Sequence, residues 1–213
     1  MPWFYYVGRA IARMLVFLCT RCQIRGRENV PKHGPLLVAS NHINMADPPL
    51  LAISLGRIAI FMAKEELFRS RLAAYFVRSF GSFPVHRGQL DRQAMRDSEQ
   101  VLARGQALVM FPEGMRSRVG QLRSGFSGTA LIAGHCGVPI LPVGITGTEN
   151  VWGNWWWLRR PRITVNIGAP FHLPPTDGKV TRAQLAEHTK LIMVRIAGLL
   201  PPEYRGDYQE VVA

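Results

Sequence analysis

The stretch PLLVASNHINMADPPLLAISLG, residues 35–56, decides how the chain is read. Its first part, PLLVAS, is a short apolar run of the kind that forms a strand buried on both faces. Its last part, DPPLLAISLG, reads as a helix start, with Asp47 as N-cap and Pro48 at the first helical position. Between them lies NHINMAD. His42 therefore sits just beyond the carboxyl end of a strand, five residues before an aspartate that opens a helix.

Working outward, strand and helix signals keep alternating. RIAIFMA (57–63) reads as a strand, and ELFRSRLAAYFVRSF (65–79) as a helix. SFPV is a short strand, and Asp91 caps a helix over 92–104 that Gly105 ends. QALVMF (106–111) is a buried strand, 126–136 a helix, and VPILPVGI (138–145) another strand. RITVNIGAPF (162–171) alternates well, and 181–200 is a closing helix stopped by Pro201 and Pro202. This pattern predicts a single α/β domain. Its central sheet is largely parallel or mixed and is covered by helices on both faces. In such sheets, ligands bind beyond the carboxyl ends of the strands.

The amino-terminal 18 residues predict an additional helix. Trp3, Val7, Ile11 and Leu15 recur every fourth position, with Arg9 and Arg13 on another face. Arg9 and Arg13 interrupt the apolar run, which is too short for a membrane span. No basic segment leads into a small-residue cleavage site, so a secretory signal is not expected. The organisation read from the sequence is an amphipathic helical segment, 1–22, followed by the α/β domain, 23–213. Periodicity alone leaves two roles open for the helix: packing on the domain, or lying in a bilayer surface.

Lys and Arg total 26 against 14 Asp and Glu, a formal net charge of +12. Such a surface attracts nucleic acid, anionic lipid or phosphorylated substrates. The basic residues are scattered and no RNA- or DNA-binding motif occurs, which argues against nucleic acid. Three cysteines do not make a disulfide framework and suggest a reducing compartment. Cys19 and Cys22 form a CxxC without a second pair and read as ordinary thiols, and no metal site is expected.

The chain holds six histidines, and three have an aspartate at the fifth following position: His42/Asp47, His86/Asp91 and His172/Asp177. A histidine oriented by a carboxylate can take a proton from a hydroxyl. Helix capping is sufficient to explain Asp91, and His172 lies in a proline-rich exit. No G-x-S-x-G occurs; in GFSGT (125–129), Ser127 reads as a helix-start residue, and Cys136 reads as core. A base without a serine or cysteine partner suggests that the substrate brings its own hydroxyl. In FPEGMRS (111–117) and VHRG (85–88), Arg87, Arg116 and Arg118 follow strand ends. They are either solvated loop residues or ligands converging on one anion.

Four blocks in order, NHINMAD (41–47), GSFPVHR (81–87), FPEGMRS (111–117) and VPILPV (138–143), resemble the lysophosphatidate acyltransferase family, the 1-acylglycerol-3-phosphate O-acyltransferases within the glycerolipid acyltransferases. The resemblance covers roughly residues 30–170. It implies His42 as general base and Asp47 as its orienting partner. It places Arg87, Glu113, Gly114 and Arg116 on the glycerol phosphate, with Lys64 as a looser match nearby. VPILPV would help shape the acyl or acceptor site. The implied reaction moves a fatty acyl group from acyl-CoA or acyl carrier protein to the free hydroxyl of 1-acyl-glycerol-3-phosphate. It gives phosphatidic acid, without an acyl-enzyme and without a cofactor beyond the thioester co-substrate. Another acceptor within the same chemistry is the alternative: glycerol 3-phosphate, another lysophospholipid or an ornithine-type lipid. Met115 stands where the family usually has threonine.

Lipid substrates imply work at a bilayer surface, specifically as a peripheral or monotopic protein on the cytoplasmic face of the cell membrane. The amino-terminal helix then reads as an interfacial anchor, with Trp3 and Phe4 among its contacts. VWGNWWWLRRPR (151–162) carries four tryptophans beside three arginines. Adjacent Trp155, Trp156 and Trp157 cannot all face one side of a strand, so membrane contact is expected there too.

Overall fold

Alternation within single strands determines the architecture. In the computed structural model, β2 (Leu36–Ser40) is buried along its whole length. Leu36 and Val38 join a core on one face of the sheet, and Leu37 and Ala39 a core on the other. β5 (Ala107–Met110) behaves the same way, sending Ala107 and Val109 to the first core and Leu108 and Met110 to the second. A strand apolar on both faces must be covered on both.

The structure describes residues 3–69, 74–75, 77, 82–85, 91–176 and 180–211, with side chains left out at Trp3, Phe4, Lys64 and Leu67. The remaining strands are β1 (Arg21–Arg25), β3 (Ala59–Lys64), β4 (Phe83–Val85), β6 (Ile140–Thr146) and β7 (Arg162–Ile167). Among the described residues the bounded helices are α1 (Trp3–Cys19), α2 (Asp47–Ser54), α3 (Arg92–Ala103), α4 (Gly128–Cys136), α5 (Trp156–Arg159) and α6 (Arg182–Ala197). The seven strands form one sheet in the order β1-β7-β6-β2-β5-β3-β4. Neighbours are parallel except β6 and β7, which are antiparallel. The sheet is thus mixed, with a parallel block and helices on both faces. The expected helix over 65–79 falls largely outside the described residues; its start, Glu65–Phe68, is a 3-10 turn.

α2 covers the first core through Leu50, Leu51, Ala52 and Ile53, with Ala12 and Val16 of α1 packed at its margin. α4 and α6 cover the second through Ala130, Ile132, Ala133, Ile192, Met193 and Ile196. Local signals set their limits. Asp91 accepts from the amides of Gln93 and Ala94 at the start of α3. Thr181 and Gln184 form a reciprocal capping box at α6.

β1 was not expected. RCQIR is short, and its edge position leaves Arg21, Gln23 and Arg25 exposed, so it carries no buried-strand signature. It also moves the expected boundary at residue 22, since Arg21 and Cys22 pair with Arg162 and Ile163 of β7. Tyr5 is fully buried, and its hydroxyl accepts the Ala59 amide at 3.1 Å, tying α1 to the start of β3.

The ladder between β2 and β5 pairs Ala39 with Met110, so the two chains leave the sheet side by side. The helix after β2 lies on one face and the helix after β5 on the other. That divergence opens a crevice at the carboxyl ends of these strands. Leu141 of β6 is fully buried in the first core. Leu141→Ala is expected to destabilise the fold by about 3 kcal/mol, measured as the shift in a urea unfolding transition.

Candidate active site

His42 stands at the crevice, and its backbone is fixed before its ring. Asn41, buried at the end of β2, acts as an extra rung of the ladder. Its Nδ2 donates to the Ile145 carbonyl at 2.8 Å, and its Oδ1 accepts the Ile145 amide at 2.7 Å. The His42 amide donates to Glu113 Oε1 at 2.8 Å, and the His42 carbonyl accepts the Ser117 amide at 2.7 Å. The FPEG loop therefore holds the histidine backbone from both sides.

The ring is placed by two contacts. It stacks on Phe111, with centroids 4.1 Å apart and planes inclined by 19°. His42 Nδ1 lies 2.8 Å from Asp47 Oδ2. A carboxylate accepts, so Nδ1 carries the proton and Nε2 presents its lone pair. No side chain among the described residues hydrogen-bonds Nε2.

Asp47 does not cap its helix as expected. Ala46 occupies the N-cap position, and α2 begins with Asp47 itself. Pro48 and Pro49 have no amide to offer, and the Leu50 amide goes to the Ala46 carbonyl. The carboxylate turns back instead. Oδ2 accepts the amides of Ile43 at 2.7 Å and Asn44 at 2.8 Å besides the imidazole. One oxygen thus folds the His42 loop and orients the ring.

Glu113 is buried, and its two oxygens are used on two backbone amides, His42 through Oε1 and Arg123 through Oε2 at 3.0 Å. Burial pushes its carboxyl up to about 7, against the lowering effect of those two amides. Gly114 turns the loop with φ +66, where a Cβ would come 2.8 Å from the Phe126 ring. Arg116 and Arg118 are exposed and line the adjoining cavity, and neither has a hydrogen-bond or ion-pair partner among the described residues. Met115 is partly exposed, and Arg123 contacts its sulfur.

That cavity has a volume of about 1140 Å³. Met62, Val85, Met95, Met110, Leu131 and Ile132 give it an apolar side, while Asn44, Arg116, Ser117, Arg118 and Glu149 give it a polar one. Phe111, which stacks on His42, is in its wall. Among the described residues no group of His, Cys, Asp and Glu is arranged to hold a metal ion.

Of the other expected residues, Arg87 and His86 lie outside the described residues, as do Asp177 and the Lys64 side chain. His172 is exposed. Ser127 sits at the start of α4 without a side-chain cap. Asn41, Phe111, Ser117 and Glu149 belong to the site but were not singled out as ligands. Only Asn41 had a readable signal, a polar residue at the buried end of a strand.

Fold and site together define an α/β protein with a histidine–aspartate pair at a switch point and an apolar cavity beside it. The chain belongs to the Acyltransferase family, whose model matches residues 21–146. It is 26% identical over 196 residues to the chloroplastic 1-acyl-sn-glycerol-3-phosphate acyltransferase LPAT1 of Arabidopsis thaliana, covering 88% of this chain and 54% of that protein. It is 32% identical over 139 residues to the 1-acyl-sn-glycerol-3-phosphate acyltransferase of Streptococcus pneumoniae, covering 64% and 50%. With a lyso-ornithine lipid O-acyltransferase of Pseudomonas aeruginosa it shares 31% over 140 residues, 64% and 51% of the two chains. The crystal structure of the 1-acyl-sn-glycerophosphate acyltransferase PlsC from Thermotoga maritima superimposes with a TM-score of 0.70 at 26% identity, covering 92% of this chain and 78% of that one. The chain spans about half the length of the curated relatives it matches.

Burial of Glu113 makes a pH prediction. The fold favours the neutral acid, so Glu113 stabilises most below its ordinary value of 4.5, and that contribution is lost as pH rises to about 7. The loss amounts to at most about 3 kcal/mol. Urea titrations should show wild-type stability falling relative to Glu113→Gln across this window; parallel pH profiles would contradict the buried-acid assignment.

Proposed function

We propose that the protein is an acyltransferase that moves a fatty acyl group from a thioester to the free hydroxyl of 1-acyl-glycerol-3-phosphate, giving phosphatidic acid. The observation that carries this reading is the His42 ring, held by Asp47 at Nδ1 and, among the described residues, without a side-chain partner at Nε2, beside a cavity with an apolar side and two exposed arginines. The names of the relatives point to the same acceptor.

In this reading His42 Nε2 takes the proton from the lysolipid hydroxyl as its oxygen attacks the thioester carbonyl. The tetrahedral adduct collapses by breaking the carbon–sulfur bond. The proton on Nε2 passes to the departing thiolate, which returns the base. Asp47 holds the ring in the reactive tautomer and stabilises the transient imidazolium. No side-chain nucleophile is needed, because the acceptor supplies one. Arg116 and Arg118 take the phosphate, a pairing that guanidinium geometry suits. Glu113, occupied with two amides, serves as a brace rather than as a phosphate ligand. The apolar wall takes acyl methylenes, each worth about 0.8 kcal/mol when buried. The donor is acyl-CoA or acyl carrier protein.

A second acceptor class, an amine-bearing lysolipid, is favoured by the name of the Pseudomonas relative. A membrane-surface location is part of the proposal, at the cytoplasmic face of the cell membrane. Val7, Ile11, Met14, Leu15 and Leu18 form an exposed apolar stripe on α1. Trp152, Trp155, Trp157 and Leu158 are exposed nearby, and Arg160 donates to the Phe17 carbonyl at 3.1 Å, joining the two patches. Among the described residues no helix is long and apolar enough to cross a membrane.

His42→Ala is expected to lower kcat for transfer from acyl-CoA to lysophosphatidate by at least about a thousandfold, while His172→Ala retains most activity. Arg116→Ala should raise the acceptor KM about tenfold and leave the donor KM unchanged; both follow from an assay in mixed micelles with radiolabelled acyl-CoA. Replacing Leu15 and Trp155 together by serine should reduce sedimentation with anionic liposomes at unchanged melting temperature. Full sedimentation of that variant would remove this face from the membrane contact.

A further inference from the structure

One wall of the cavity holds a carboxylate that the proposed reaction does not use. Glu149 lies in the 3-10 turn Thr148–Asn150 that follows β6. Gly147 makes the turn possible, since at φ +86 a Cβ there would lie 2.0 Å from the Arg162 carbonyl oxygen. Glu149 Oε1 accepts from the Tyr204 hydroxyl at 2.5 Å and from Asn150 Nδ2 at 3.1 Å. Glu149 Oε2 is buried and has no hydrogen-bond partner among the described residues. The residue is in the lining of the same cavity as Phe111 and Arg116.

One oxygen is therefore clamped and the other lacks a donor. Burial, and then the hydrogen bond to Glu149, push the Tyr204 phenol up to about 12, so it remains a donor to Oε1. A buried acceptor without a partner costs about 1–3 kcal/mol, which a ligand bearing an O–H or N–H would recover. Two neighbours in the lining extend this logic. Trp152 presents an exposed aromatic surface, suited to an ammonium group. Ser117 is 1% exposed and its Oγ has no partner among the described residues, so it offers a donor to an anion alongside Arg116 and Arg118. The cavity thus has features for an anion and, separately, for a hydrogen-bond donor.

We propose that Glu149 is a specificity-determining residue. It selects acceptor lipids whose head group carries a hydroxyl or protonated amine in addition to the reacting hydroxyl. The proposal rests on acyl transfer to a lysolipid as read above. Lysophosphatidate is the internal control, because its only hydroxyl is the reacting one.

The test compares lysophosphatidate, lysophosphatidylglycerol and lysophosphatidylethanolamine as acceptors for the full chain, with acyl-CoA as donor. The wild type is expected to acylate at least one donor-bearing lipid. Glu149→Gln keeps an oxygen for Tyr204 and removes the charge. It should raise KM for that lipid about tenfold more than for lysophosphatidate. Trp152→Ala, at an exposed position, gives a second readout. It should raise KM about threefold more for the ethanolamine lipid than for lysophosphatidate. Equal losses on all acceptors in Glu149→Gln would make the residue structural and overturn the proposal. A wild type that acylates lysophosphatidate but neither donor-bearing lipid overturns it too, and leaves the proposed reaction standing. A wild type that acylates only donor-bearing lipids would instead remove lysophosphatidate as the acceptor and leave Glu149 in its role.

Discussion

The site depends on how one buried carboxylate is shared. Glu113 gives one oxygen to the His42 amide and the other to the Arg123 amide. It thereby joins the loop after β2, the loop after β5 and the segment leading into α4. Parallel pairing of β2 and β5 brings these loops together, but pairing ends at Ala39 and Met110. Beyond that point β2 keeps one ladder pair, Ser40 with Val143 of β6, and the loops that follow have none. Glu113, the Ser117 amide and the Asn41–Ile145 pair hold them instead with side-chain and loop hydrogen bonds. An acidic residue suits the task because a carboxylate accepts on both arms, whereas an amide side chain has an acceptor on one arm and a donor on the other. Its burial carries an energetic cost, visible in the raised protonation range of the group.

Asp47 follows the same economy. Its Oδ2 gathers two backbone amides and the imidazole, so the loop's fold and the ring's tautomer depend on one atom. The two prolines after it matter because they withdraw the amides that a capping aspartate would otherwise take. The carboxylate is left to turn toward the histidine. The pair therefore comes from local backbone chemistry as much as from the spacing of His42 and Asp47. At Asp91, where the Gln93 and Ala94 amides are available, the carboxylate does cap its helix, α3.

The central strands were legible because each is apolar on both faces, a pattern that little else in a water-soluble domain produces. VPILPVGI and QALVMF carried it as clearly as PLLVAS. Of the two edge strands, β4 was legible as SFPV and β1 was not. RCQIR is half polar because an edge strand faces water, and its partner β7 lies far along the chain. WWW was read against a strand, whereas Trp155 takes a left-handed turn at φ +65 and opens a four-residue helix. In the site, His42 and Asp47 were visible as residue types that carry chemistry. Asn41 and Phe111 were not, because an amide replacing a ladder rung and a ring stacked on an imidazole depend on which strand ends lie side by side. Glu113 was visible, but resemblance placed it on the phosphate, while burial and two amide partners make it a brace.

The apolar surface is distributed in a way that a helix packed only for stability would not need. α1 buries Tyr5 and rests on α2 through Ala12 and Val16, mostly small or β-branched contacts. Its larger apolar residues, Ile11, Met14, Leu15, Phe17 and Leu18, face outward. If packing on the domain were its whole purpose, the larger residues would point inward, because buried area is what stabilises. Trp152, Trp155 and Trp157 are exposed on the neighbouring surface, beside Arg159 and Arg160, while Trp156 is half-buried. Aromatic and aliphatic side chains next to arginines match the layered chemistry of a lipid headgroup region, where the rings sit at the boundary and the cations meet phosphate. A chain with a net charge of +12 gains further from an anionic surface. The packing of α1 and the proposed lipid chemistry of His42 are thus two separate supports for the proposed bilayer-surface location.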